Sequence, residues 1–128
     1  MVVLVSGRRM NANEKRKAKR VIAEIVRLAN GDRVLPRVRL IKTFYLAHAC
    51  YAKSNPDRLT GWPIDEVPTA EDIQSFQQML LELMEERVIG ETHSIIYADF
   101  RSREIDPVTD RERASILTAI NQARLRRL

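Results

Sequence analysis

The side chains in this 128-residue sequence with chemistry to offer are few and scattered. His48 and Cys50 stand two positions apart in a stretch with helical spacing, so they point in different directions. The other histidine, His93, falls on a different element, and no metal-ligand spacing results. Cys50 reads as a small buried hydrophobe rather than a nucleophile. His48 reads as a partly buried helix histidine bonded to a neighbour, with Tyr45 and Tyr51 placed to share a polar network with it. Gly7, Gly31, Gly61 and Gly90 are isolated, so there is no phosphate-cradling loop. Glu82, Glu85 and Glu86 form a solvated acidic face before they form an acid/base pair. No catalytic constellation and no cofactor site emerges, and a non-enzymatic role is expected.

Charge carries more information. The net charge is +5, but residues 1–42 hold twelve Lys/Arg against Glu14, Glu24 and Asp32, a net of +9. Residues 43–100 hold three bases against ten acids, a net of −7, and residues 101–128 return to +3. Basic ends therefore flank an acidic middle. The densest basic cluster is Lys15, Arg16, Lys17, Lys19 and Arg20, with Arg8 and Arg9 upstream. Cations at the start of a helix oppose its macrodipole, so something else must favour them. Phosphate contact is one answer, and a solvated helix face is the other.

These side chains need elements to position them. Asn11 or Asn13 offers an N-cap for a first helix running to about Asn30, where Asn30-Gly31 ends it. Ala18, Val21, Ile22, Ile25, Val26, Leu28 and Ala29 give it an apolar stripe. Leu35-Pro36 opens a second helix, with proline suited to the first position. That helix is apolar nearly all round its middle, through Leu40, Ile41, Phe44, Tyr45, Ala47 and Tyr51, as a buried hub helix must be. The loop after Asn55 holds three prolines, Gly61 and the only tryptophan, and Trp62 and Ile64 are expected to tuck back onto the hub.

Thr69 and Asp72 mark a third helix to about Glu86, its buried face drawn from Ile73, Phe76, Leu80 and Leu83, with Met79 and Met84 on the shoulders. Residues 88–106 lose the helical period. Ile95, Ile96, Tyr97 and Phe100 favour strand, Gly90 breaks it, and Ala98-Asp99 is the expected hairpin turn. Thr109 and Glu112 form a full capping box for a last helix using Ile116, Leu117, Ile120 and Ala123. The expected fold is mainly α with a small β-hairpin, winged-helix-like in its order of three helices, hairpin and C-terminal helix. Residues 1–10 are expected to be a disordered tail and residues 11–128 a single helical domain.

No apolar run approaches the roughly 18 residues needed to span a bilayer. Met1-Val2-Val3-Leu4-Val5 lacks the pattern of a signal peptide. A single cysteine suits a reducing compartment, and a cytoplasmic location is expected.

The hub carries a family resemblance. Leu40-Ile41-Lys42-Thr43-Phe44-Tyr45-Leu46-Ala47-His48 followed by Leu59-Thr60-Gly61-Trp62-Pro63-Ile64 resembles the Panacea domain, the phage-associated antitoxin family. Val108-Thr109-Asp110-Arg111-Glu112 and the helix after it are similar to that family's acidic-capped last helix. The sequence departs from the family where Pro68-Thr69-Ala70-Glu71-Asp72 stands in place of Gly-Pro, so the family's partner-facing surface is not carried over there. The resemblance implies a largely helical, non-enzymatic domain that neutralises a toxin by binding it.

Two functions follow as expectations. One is a protein-interaction domain, antitoxin-like or regulatory, in which the acidic third helix, with Glu82, Glu85 and Glu86 as possible partner-facing residues, and the basic first helix pair within the molecule, between copies as in a homodimer, or with a partner. The alternative is a winged-helix DNA-binding regulator using Lys15, Arg16, Lys17, Lys19 and Arg20 with Arg101 and Arg103 on the wing. The carboxylates of the third helix stand against the second, because phosphates would repel them.

Overall fold

A computed structural model describes residues 11–29, 35–62, 69–99 and 107–125 of the chain. The tail at residues 1–10, the Asn30-Gly31 stop, Ile64, Phe100, Arg101 and Arg103 lie outside the described residues. Helix α1 spans Ala12–Leu28, and Asn11 is its cap. The Asn11 side chain accepts from the Glu14 amide at 2.8 Å, and the Glu14 carboxylate accepts from the Asn11 amide at 3.1 Å. Helix α2 spans Arg37–Ser54. Pro36 is its capping residue rather than its first helical one, with an extended backbone that offers no side-chain cap. At the other end Asn55 donates from its backbone amide and its side chain to the Tyr51 carbonyl.

Helix α3, Ala70–Glu85, opens on a reciprocal box between Thr69 and Asp72. It closes without glycine. The Val88 amide donates to the Leu83 carbonyl and the Arg87 amide to the Met84 carbonyl, which is the Schellman pattern. Arg87 takes the left-handed position at φ 65°. Strands β1, Ile89–Thr92, and β2, Ile95–Ala98, pair antiparallel from Ile89 opposite Ala98 to Thr92 opposite Ile95. The turn is therefore His93-Ser94, not Ala98-Asp99. Both residues have positive φ, 52° and 66°, as a two-residue turn matching the strand twist requires. Gly90 does not break the strand. It sits inside β1 opposite Tyr97, whose ring covers it so closely that a Cβ there would lie 2.4 Å from the ring. Helix α4, Asp110–Leu125, opens on the box between Thr109 and Glu112.

Helix α2 is the hub. Leu40, Phe44, Ala47, His48 and Tyr51 are buried on it, and its most extensive packing is against α4. Phe44 lies at the centre of the aromatic residues, its ring 4.7 Å from His48, 5.2 Å from Phe76 and 5.6 Å from Trp62. From α3 the core takes Phe76, Met79, Leu80 and Leu83. Ile73 does not join them; it is 41% exposed at the edge of the stripe. Leu117 is likewise 43% exposed, and Ala119 takes the inward place beside Ile116 and Ile120.

The Leu35 carbonyl accepts from the Ile96 amide at 3.0 Å, which lays the segment before α2 along the outer edge of β2. Arg37 then reaches Glu91 on β1 with two bonds, 2.9 and 2.7 Å. The molecule is mainly helical with a small hairpin, and these contacts lock the hairpin to the start of the hub helix. No helix among the described residues is long and apolar enough to cross a membrane.

Candidate functional site

The basic cluster of α1 and the acids of α3 face each other. Lys15 Nζ is 2.8 Å from Glu82, and Lys19 Nζ lies 3.4 Å from Glu82 and 2.7 Å from Glu86. At the next position along α1, Arg20 Nη2 reaches both oxygens of Glu112 on α4, at 3.3 and 3.2 Å. The hydrogen bond from Lys15 is the main cause holding the Glu82 carboxyl below its usual range, against the opposing effect of burial. A third cluster closes the other end of α1. Burial alone would push the Glu24 pKa up, but bonds from Arg27 and Arg113 reverse this and leave it lowered.

Of the residues singled out for contact, Lys15, Lys19 and Arg20 are thus brought together with Glu82 and Glu86 inside the molecule, with Glu112 as a further partner. Arg16 is exposed and Lys17 half-buried on α1. Glu85 is exposed and makes no ion pair with a described residue.

The outward face of α3 is what this pairing leaves. Ile73, Gln77, Leu81 and Glu85 follow one another at four-residue intervals, all exposed, with Leu81 at 48%. Glu71, Gln74 and Gln78 flank the row, and residues 70–86 contain no Lys or Arg. Sequence reasoning missed this row because it scored Ile73 as core and passed over Leu81. The signal was available: Phe76, Met79, Leu80 and Leu83 set the buried stripe, and Leu81, one position past Leu80, falls on the side away from Met79 and Leu83.

The hub holds a second, enclosed network. His48 Nδ1 is 2.8 Å from the Phe44 carbonyl and must be the protonated nitrogen of the ring, since a carbonyl only accepts. Nε2 then accepts from the Thr60 hydroxyl at 2.6 Å, and that hydroxyl accepts from the Trp62 amide at 3.0 Å. The Trp62 indole donates to the Tyr45 hydroxyl at 2.9 Å. Burial lowers the His48 pKa to about 4, with the Arg58 charge adding to it, so the ring is neutral at pH 7. Tyr51 belongs to a separate arrangement, donating to Asp57 at 2.9 Å. The pattern fixes the loop of residues 59–62 on the hub. A neutral, enclosed imidazole with both nitrogens committed has no route to a substrate.

Burial also pushes the Cys50 thiol up, away from the thiolate that nucleophilic chemistry needs. No group of three His, Cys, Asp or Glu among the described residues could hold a metal ion. No family model matches the chain, and neither the curated proteins nor the solved structures contain a significant match to it.

Proposed function

We propose that this chain is a non-catalytic protein-interaction domain of antitoxin-like or regulatory kind, binding its partner through the exposed face of α3. The observation that carries this reading is the internal pairing of Lys15, Lys19 and Arg20 with Glu82, Glu86 and Glu112. Cations held in ion pairs have little left to offer phosphates. The exposed helix of the winged-helix position then presents Ile73, Gln77, Leu81 and Glu85 without a single base. An aliphatic pair set among glutamines and acids suits a protein surface better than a nucleic-acid backbone. The antitoxin part of the reading rests on the resemblance of residues 40–48 and 59–64.

The test is reconstitution of a stoichiometric complex with the product of the neighbouring gene, followed by Ile73→Arg and Leu81→Arg. Both positions are exposed, so the variants fold, and each is expected to abolish the complex. A shift of a promoter fragment by the purified chain at physiological salt, with sequence preference, would replace this reading with DNA binding.

A further inference from the structure

The last turn of α3 carries the wrong charge for a helix standing alone. A helix C-terminus bears a partial negative charge and favours cations. Here Glu85 and Glu86 stand at that end, and the turn contains no base. Lys19 answers Glu86 at 2.7 Å. No described residue pairs with Glu85, which is exposed, and Arg87, the nearest base in the chain, makes no ion pair with it.

Glu71, Gln78 and Glu85 recur at seven-residue intervals, so they run as one line beside Ile73, Gln77 and Leu81. Glu71 is also exposed and makes no ion pair with a described residue. Two open carboxylates, about 21 Å apart at 1.5 Å per residue, thus stand at the two ends of an aliphatic strip. Beyond that line, Glu82 and Glu86 are already committed to Lys15 and Lys19. Those lysines bound the surface, because a cationic partner is repelled from α1 and kept to the strip. A second copy is the poorer occupant. Residues 70–86 hold five acids and no base, so two α3 faces laid together in either direction would set carboxylates against carboxylates.

We infer that the α3 face takes a basic amphipathic helix from a different protein, with Glu85 as the residue that selects it. This rests on the reading of α3 as the partner-binding face. Aliphatic side chains of the incoming helix cover Ile73 and Leu81, while Lys or Arg near its two ends meets Glu71 and Glu85. About 14 residues of helix span the two carboxylates. The cation at Glu85 also supplies the positive charge that the end of α3 lacks.

The probe is a labelled synthetic helix of about five turns, with leucines four and eight residues apart and lysines at both ends. Its counterpart carries glutamate in place of each lysine. Fluorescence anisotropy with the full chain at physiological salt is expected to show saturable binding of the lysine peptide alone. Glu85→Gln should weaken it about threefold, the scale of one exposed ion pair, and Glu85→Lys about tenfold. Glu85→Lys should also raise the melting temperature by about 2 °C, since a cation suits that helix end. Binding lost while stability is gained separates a recognition residue from a structural one. Leu81→Arg should abolish binding. No binding of the lysine peptide, equal binding of both peptides, or binding indifferent to Glu85→Lys would each overturn the inference. A complex with the neighbouring gene product that Leu81→Arg breaks and Glu85→Lys does not would overturn it alone, leaving α3 as the partner face. If neither variant affects that complex, both readings of α3 fall.

Discussion

Arg20 and Glu112 meet between α1 and α4 with one guanidinium nitrogen 3.2–3.3 Å from both carboxylate oxygens, while the same carboxylate caps α4 by accepting from the Thr109 amide at 2.8 Å. One side chain thus closes a helix and fixes that helix to another. The carboxylate is 9% exposed, so its loss leaves the Arg20 charge half-enclosed without its partner. Glu112→Ala is expected to cost about 3 kcal/mol, the sum of a lost cap and a broken part-buried pair. Glu112→Gln keeps an acceptor for the cap and should cost about half as much. Urea unfolding of the two variants measures the difference.

Acid should destabilise the fold in two stages. His48 has a folded pKa of about 4 against 6.5 in an unfolded chain. The unfolded state therefore binds the proton first, and the stabilisation from the neutral ring is complete above pH 6.5 and declines as pH falls towards 4. The slope should approach 1.4 kcal/mol per pH unit near pH 5. Glu24, Glu82 and Glu91 have lowered pKa values, so their contribution is present above the unfolded carboxylate range and is lost as pH drops through the folded values. Denaturant unfolding from pH 7 to 3.5 should show the earlier stage, and His48→Asn should remove it. A level profile between pH 6.5 and 4.5 would contradict the assignment.

Arg87 occupies a left-handed position that a glycine would take without cost. Its neighbours Leu83 and Val88 are buried and already make the capping bond, so the backbone has no reason to relax. Arg87→Gly is expected to raise stability by about 1 kcal/mol, read as an upward shift in melting temperature.

Much of this architecture was legible in the sequence because it rests on local rules. The boxes at Thr69 and Thr109, an asparagine cap at Asn11 or Asn13, the stripe of α1 and the all-round apolar middle of α2 each follow from spacing and side-chain chemistry. The hairpin turn was not legible, since His93 and Ser94 lack the glycine or asparagine that normally announces positive φ. Nor was the exposure of Ile73 and Leu117, because periodicity gives the direction of a stripe but not where its covering elements stop. The opposing charge blocks of the first and third helices were visible as blocks. Pairing within the molecule was one of three arrangements the blocks allowed, and choosing it depends on α1 and α3 lying side by side, a tertiary fact that no local pattern encodes.

That neutralisation can be undone. Glu82→Gln with Glu86→Gln releases Lys15 and Lys19 while leaving both side chains long and polar. The pairs are partly exposed, so the stability cost should stay below about 1 kcal/mol for each. Retention on heparin is expected to rise, with elution moving to higher salt. If elution does not move, the lysines were already available to polyanions.

The packing of α2 against α4 has a consequence for synthesis. About 55 residues separate the end of one helix from the start of the other. As the chain leaves the ribosome, the side of α2 that α4 covers stays open until that helix follows, although α1, Trp62 and Phe76 can already pack on the other side. The N-terminal half alone is therefore expected to be sticky rather than folded, and a chain cut before Asp110 should depend on chaperones or be degraded. Wherever this domain acts, its final helix works as a late-arriving clasp, and a nascent chain stalled before it has no native surface to offer.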